Sequence, residues 1–397
     1  MTASSTLCDI VIIGAGPAGL SLAAGLGTAG FKVTVVDKQS QQALADPAYD
    51  GREIALTHHA RKVMTRLGLW DRLPQDQISW IRHAHVLNGA SSYALRFDHR
   101  EAGTETLGFM VSNHRIRRAA YGAATALPSI ILKTGVAVSR VRTAPHAATV
   151  TLDDGADITA RLIVAADSRF SDTRRMLGVP ADMVDFGRTC IVCRMTHQRP
   201  HHDIAIECFH DARTLAVLPL NHGEVSVVIT VGSAEAEGVL GLTEGAFNAD
   251  IERRLKGRLG SMALVGARHA YPLVAVHAAR FHGHRLALVG DAAVGMHPVT
   301  AHGFNLGLRG ASTLTDLLSH AKARGEDIGQ ADLLRRYTRR HRLHTVPLYH
   351  GTNAIVALYT RTTPPARLLR AGLLRLGNRI GPARRLIMNQ LTEATPA

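Results

Sequence analysis

LALVGDAAVGMHPVTAHGFNLGLRG, residues 286–310, is the stretch that decides the fold. It opens with Leu286 to Val289, a short unbroken apolar run of the kind that is buried on both faces in a parallel sheet. Gly290 and Asp291 end the run. A carboxylate at the C-terminal end of such a strand sits where α/β sheets bind ligands, and it can accept hydrogen bonds from sugar-type hydroxyls. An irregular loop from His297 to His302 follows, then Gly303-Phe304-Asn305, and a helix is predicted from about Leu306. Gly303 lets the backbone come close to a flat ligand, and free N–H groups at a helix start favour negative charge.

The N-terminus carries a second nucleotide signal. Cys8 to Ile13 reads as a strand, Gly14-Ala15-Gly16-Pro17-Ala18-Gly19 as a glycine-rich turn, and Leu20 to Ala29 as a helix stopped by Gly30. Phe31 to Val36 is a second strand ending in Asp37, 23 residues beyond Gly14. This is the strand–turn–helix–strand setting that a G-x-G-x-x-G pattern requires. Gly14 makes the tight turn, Gly16 admits a pyrophosphate, and Gly19 lets helix and strand pack closely. Pro17 suits a first helical turn, whose N–H groups need no intrahelical partner. Asp37 would accept the ribose hydroxyls of an adenosine half. Alone, the pattern does not choose between NAD and FAD. Asp291 lies 277 residues from Gly14, too far for one βαβ unit, so two distant half-sites point to FAD bound lengthwise.

Residues 290–310 resemble the second FAD motif of the single-component aromatic flavin hydroxylases, closest to the ubiquinone-biosynthesis branch (UbiH/UbiF/VisC). That pattern runs G-D-A-A-H-x-x-H-P-x-x-G-Q-G-x-N-x-G-x-x-D. Gly290, Asp291, Ala292, Ala293, His297, Pro298, Gly303, Asn305 and Gly307 match it. Val294 replaces the first His, Ala301-His302 replaces Gly-Gln, and Gly310 stands at the final Asp. The Ala-His variant resembles a bacterial subgroup of ubiquinone hydroxylases (UbiM type). Asp50-Gly51-Arg52-Glu53-Ile54-Ala55-Leu56-Thr57 resembles the family's D-x-R-x-x-A-L-S segment, which puts Arg52 near the flavin. Asp167-Ser168-Arg169-Phe170-Ser171-Asp172-Thr173-Arg174 resembles D-G-x-x-S-x-x-R, with Ser168 for Gly, a motif associated with FAD and NAD(P)H contact. Val111 to Ile116 is a weaker match to the start of a helix over the FAD pyrophosphate.

The resemblance implies an α/β fold: a Rossmann-like FAD-binding domain, a β-sheet substrate domain (p-hydroxybenzoate-hydroxylase-like), and a C-terminal helical segment. The FAD-binding domain is expected in three parts, residues 1–75, 111–180 and 276–330. Strands of the substrate domain are expected in 76–110 and an antiparallel sheet in 181–275, with a basic helical segment in 331–397. Ala205 to Phe209, Arg213 to Leu220 and Val225 to Val231 are short strands with no helix between them.

Composition sets the remaining bounds. The 397 residues are 46% hydrophobic and 20% charged, as in a soluble globular chain with a sizeable core. No run is long enough to span a bilayer, and no signal peptide is evident, so a cytoplasmic location is expected. The formal net charge is +14, and residues 331–397 hold twelve arginines against two acids. Such a tail points to an anionic partner, membrane or nucleic acid, but no nucleic-acid motif accompanies it. Leu369, Leu373, Leu376 and Ile380 share one helical face, away from Arg367, Arg370, Arg375 and Arg379. That pattern suits either an anionic membrane interface or docking on the protein body. Cys190-x-x-Cys193 falls in a strand, where a spacing of three puts the thiols on opposite faces as buried structural residues. The 22 histidines lack metal-site spacing, so no metal is expected, and no Gly-x-Ser-x-Gly elbow is present.

Two activities fit. The first is an FAD-dependent monooxygenase: NAD(P)H reduces the flavin, O2 adds at C4a, and one oxygen passes to a polyprenylated phenol in ubiquinone biosynthesis. The second is an FAD-dependent reductase or dehydrogenase acting on a lipid or other small hydrophobic substrate. The resemblance implies FAD contacts from Gly14, Gly16, Pro17, Ala18, Gly19, Asp37, Lys38, Arg52, Asp291, Pro298, Gly303, Phe304 and Asn305. His302 is the candidate for proton handling beside the flavin. Peripheral attachment to the inner face of the cytoplasmic membrane, or to a ubiquinone-biosynthesis complex, would bring the enzyme to its substrate.

Overall fold

A computed structural model describes residues 6–88, 94–210, 213–297, 302–360, 388, 392 and 393. Pro298 and the amphipathic stretch at 366–380 lie outside the described residues. Elements are numbered in chain order. The principal sheet runs β17 (His282–Gly283), β18 (Leu286–Leu288), β11 (Asp157–Ala165), β1 (Thr6–Ile13), β2 (Val33–Asp37) and β8 (Ile130–Thr134). β10 (Ala148–Leu152) and β9 (Val138–Thr143) extend antiparallel from β11. β18, β11, β1, β2 and β8 are mutually parallel. Their apolar runs are buried because α1 (Pro17–Thr28), α4 (Asn113–Thr125) and α8 (Gly303–Ala323) share one core with them.

The second sheet has the order β19 (Val294–Gly295), β16 (Met262–Ala278), β12 (Ala181–His197), β15 (Glu224–Gly232), β14 (Arg213–Pro219), β13 (Ile204–His210), β5 (His83–Asn88) and β6 (Ala94–Asp98). The strands within 181–275 pair with one another antiparallel, and β13 takes β5, from the 76–110 segment, as a parallel neighbour. A tight hairpin cannot make that pairing; the chain returns from β5 to β13 only after building part of the first sheet. Cys193 points into the core under α6 (Ala236–Leu240) and α7 (Glu244–Arg254), and Cys190 packs on the other face with Val192 and Leu273. A small third sheet joins β3 (Glu53–Leu56), β7 (Gly108–Ser112) and β4 (Ser79–Ile81). The remaining helices are α2 (Gln41–Ala45), α3 (His58–Arg66), α5 (Asp172–Met176) and α9 (Ala331–Thr360).

Helix α8 begins at Gly303, not near Leu306, so Gly303-Phe304-Asn305 is its first turn. Ser171 caps α5 by accepting the Arg174 N–H at 3.0 Å.

β18 carries Asp291, and its start is pinned by Arg285, a buried side chain with its backbone at φ +50°. The Arg285 carbonyl accepts the Ile163 N–H at 2.9 Å. Its guanidinium donates to Pro145 O at 2.8 Å, to Arg161 O at 2.8 Å and to both Asp327 carboxylate oxygens. Partial burial opposes the charged form of Asp327, but the Arg285 guanidinium and the Gly329 N–H outweigh it and hold the carboxyl below its ordinary range. A depressed folded pKa contributes stability above the ordinary carboxylate range that is lost as pH falls through the folded value. Asp327→Asn is therefore expected to cost about 1–2 kcal/mol near pH 7, the lower end because the carboxylate is partly screened. Denaturant melts at pH 7 and in acid check this: the gap to the wild type should close below about pH 4.

Candidate functional site

Three backbone segments meet where the sequence predicts a dinucleotide. Gly14 ends β1 with φ +108°, and a side chain there would collide with Ala166 at the end of β11. A side chain on Gly19 would collide with the Gly14 carbonyl. Pro17 starts α1, and the N-cap is Gly16, which offers no capping side chain, so the first-turn N–H groups are available to an anion. Ala18 faces the other half-site: a Cβ on Gly290 would come 2.9 Å from its methyl, and one on Gly307 3.4 Å. Two motifs far apart in sequence thus become one surface.

Two glycines of the nucleotide motifs differ from Gly14, Gly19, Gly290 and Gly307. Nothing lies within 4 Å of where a Cβ of Gly16 or of Gly303 would stand. Both sit at helix N-termini and face open space, which is what a ligand held against backbone needs. β18 and β2 are separated by β11 and β1, three interstrand steps or roughly 14 Å. Asp291 and Asp37 therefore lie along one sheet edge at a spacing that suits the two sugar portions of a pyrophosphate-linked dinucleotide. Asp37 also braces the turn, accepting the Ala15 N–H at 2.6 Å and the Gln39 N–H at 2.8 Å. Lys38, next along, is exposed.

Arg169 was not singled out from sequence as a ligand, yet it pairs with Asp291 at 3.2 Å and donates to Val274 O at 3.1 Å. Its position in the Asp167–Arg174 segment was the available signal. Ser168 in that segment has φ 153°, backbone suited to the glycine it replaces. Asp167 accepts from the Thr173 N–H at 3.2 Å and from its hydroxyl at 3.0 Å, while its other oxygen is buried with no hydrogen-bond partner among the described residues.

Asn305 is buried and acts as a clamp. Its amide donates to Ala55 O at 2.9 Å and accepts the Thr57 N–H at 3.2 Å, fastening β3 to the first turn of α8. Phe304 packs against the main core. His302, the N-cap residue of α8, is buried directly before Gly303. Burial, with Arg188 nearby, pushes the His297 imidazole down to about 4, and its ring meets Phe186 edge-on at 4.9 Å. Thr57 donates its hydroxyl to Glu393 at 2.8 Å, and Arg309 of α8 donates to the same carboxylate at 2.8 Å.

Arg52 directly precedes β3, and its carbonyl accepts the Asn113 N–H at the start of α4 at 2.9 Å. It pairs with Asp50 at 2.6 Å, and its guanidinium stands 5.3 Å from the Tyr271 ring centroid. Asp50 also receives the Asn113 amide at 2.7 Å, and Tyr271 donates its hydroxyl to Asp50 O at 2.6 Å. Beneath this group Arg194 of β12 reaches buried Glu53 at 2.6 Å and Ser112 at 2.8 Å, binding the second sheet to the third.

The FAD binding domain family (FAD_binding_3) matches residues 7–347. The chain belongs to this family. A ubiquinone hydroxylase, UbiM, of Neisseria meningitidis is 50% identical over 97% of this chain and 84% of that protein. A ubiquinone hydroxylase, UbiL, of Rhodospirillum rubrum is 35% identical over 96% of this chain and 89% of that protein. The crystal structure of p-nitrophenol 4-monooxygenase PnpA from Pseudomonas putida DLL-E4 shares the fold, with a TM-score of 0.77, 18% identity, and 98% of both chains covered. The open backbone at Gly16 and Gly303 and the paired carboxylates fit FAD, the cofactor of this FAD-binding family.

The glycines now divide into packing and ligand-facing sets, which mutation can separate. Gly303→Val is expected to leave a cooperatively folded protein that no longer retains FAD. Gly19→Ala is expected to cost about 1–3 kcal/mol in stability, because backbone must move to relieve the clash. Flavin absorbance after gel filtration, alongside denaturant melts, checks both; full FAD retention by Gly303→Val would show the site to be misplaced.

Proposed function

We propose that this protein is an FAD-dependent monooxygenase that hydroxylates the aromatic ring of a polyprenylated phenol in ubiquinone biosynthesis, using NAD(P)H and O2. One observation carries the substrate class: the two faces of the second sheet are covered unequally. Ile191, Cys193, Val225, Val227, Ile229 and Val231 form a closed core under α6 and α7. On the opposite face Val86, Ala205, Ala216, Leu218 and Val228 are only half buried. A half-buried apolar wall inside a protein is a surface for an apolar ligand. β3 sets this wall beside the first turn of α8, because Ala55 packs with its cluster while the Ala55 carbonyl holds Asn305. The names of the ubiquinone hydroxylases that the chain resembles support the same reading.

Bound FAD, once reduced, supplies the electrons that activate O2 for transfer of one oxygen atom. The chain's own residues do the rest. Gly16 and the N-terminus of α1 receive the pyrophosphate, and Asp37 and Asp291 accept sugar and ribityl hydroxyls. Arg52, held by Asp50 over Tyr271, offers a cation at the rim. Gly303 and the start of α8 would receive the ring system, with buried His302 directly before Gly303 and with His297, whose charged form burial disfavours, ahead of it. The apolar wall excludes water, so the activated oxygen is spent on the substrate.

Among the described residues no helix is long and apolar enough to cross a membrane. The basic amphipathic pattern at 366–380 supports recruitment to an anionic bilayer, where a polyprenylated phenol resides. Co-sedimentation with anionic liposomes at low salt, weakened when Arg367, Arg370, Arg375 and Arg379 are changed to Gln, is the expected result; no sedimentation of either protein would count against recruitment. For the activity itself, the purified protein should carry about one FAD per chain. It should consume NAD(P)H and O2 faster when a prenylated phenol is added, yielding a product heavier by one oxygen. Substrate turnover without oxygen incorporation would instead mark a reductase or dehydrogenase.

A further inference from the structure

Among the described residues, Glu207 is the one acid on the half-buried wall whose partners in register on both neighbouring strands are apolar. On β13 it is in register with Val86 of β5 and Ala216 of β14. The same row continues through Val228 of β15 and Val192 of β12. Ala205, two residues earlier and therefore on the same face, packs with Leu218 and Ala55 against one cluster, and the Ala55 carbonyl holds Asn305 in the first turn of α8. Among the described residues no hydrogen bond or ion pair reaches the Glu207 carboxyl, and the titratable groups that sense it are Cys190 on β12 and Cys208 on its own strand. Glu207 is a half-buried residue of this apolar wall. A carboxyl so placed is costly unless a ligand completes it.

We infer that Glu207 is a catalytic residue that binds the ring hydroxyl of the phenolic substrate and takes its proton. This rests on the hydroxylase reading above. The phenol O–H bond breaks, its electron pair stays on oxygen, and the proton moves to a Glu207 carboxylate oxygen. The phenolate is richer in electrons at its ortho and para carbons, where the activated oxygen is received. When the ring regains aromaticity its C–H proton passes to the second oxygen atom of O2, which leaves as water, and the proton on Glu207 returns to the ring oxygen. Burial without a cationic neighbour pushes the Glu207 carboxyl up to about 8, within range of a base for a phenol at physiological pH.

The test uses FAD-loaded full-length protein with 2-(3-methylbut-2-enyl)phenol as the probe, comparing wild type with Glu207→Gln. Glu207→Gln is expected to lose about 100-fold in kcat for hydroxylated product with KM changed by less than about threefold. Wild-type kcat should rise with an apparent pKa near 8, and the variant should lose that dependence. Glu207→Gln with wild-type kcat and pH profile, in an active wild-type background, overturns the assignment alone. A wild type that oxidises NAD(P)H but forms no hydroxylated phenol overturns the activity and the assignment with it. If the variant does not load FAD, the wild-type profile decides: no ionisation between about pH 6 and 9 overturns the role of Glu207.

Discussion

The site depends on a close approach of three backbone segments through small residues. Ala18 at the start of α1, Gly290 after β18 and Gly307 in α8 come together closely: a Cβ on Gly290 would stand 2.9 Å from the Ala18 methyl, and one on Gly307 would already be in contact with it at 3.4 Å. This contact lets α1 and α8 direct their N-termini at one ligand. Insertion of β11 between β1 and β18 makes it possible, since it brings the start of the chain beside residue 290 in a single parallel sheet. Both half-sites then lie at the C-terminal edge, where strand carboxylates and helix dipoles converge.

Around that contact the polar side chains serve mainly as fasteners. Asn305 ties β3 to α8, Arg194 ties the second sheet to Glu53, and Arg285 ties β18 to the loop at Asp327. Each is buried or nearly so and satisfied by charged or backbone partners, which is the condition for a buried polar group to add rigidity. A cofactor-dependent oxygenase needs such rigidity, because the ring, the activated oxygen and the substrate carbon must be aligned within fractions of an ångström. Glu207 differs from all of these: it has apolar neighbours and no fastening role.

The second sheet shows how one alternating pattern serves two purposes. Its strands present apolar side chains to both faces, but α6 and α7 close only one of them. The other is left as a half-buried apolar wall that shares a cluster with Ala55 of β3.

The amino-acid sequence alone determined the tight turn at Gly14, the close helix–strand packing at Gly19 and the helix start at Pro17, because each follows from local backbone chemistry: a positive φ, a close packing distance or a missing N–H; the fold class was legible through the resemblance of its motifs. It also placed Cys190 and Cys193 on opposite faces, since strand periodicity is a local property. Only the tertiary structure decided which glycines face open space, that Arg169 reaches Asp291, that β13 runs parallel to β5, and that α8 starts at Gly303. Period-two alternation says that a strand has two faces; which face the helices cover, and hence that Glu207 points into an apolar interior with no charged partner among the described residues, is set by contacts between residues distant in sequence.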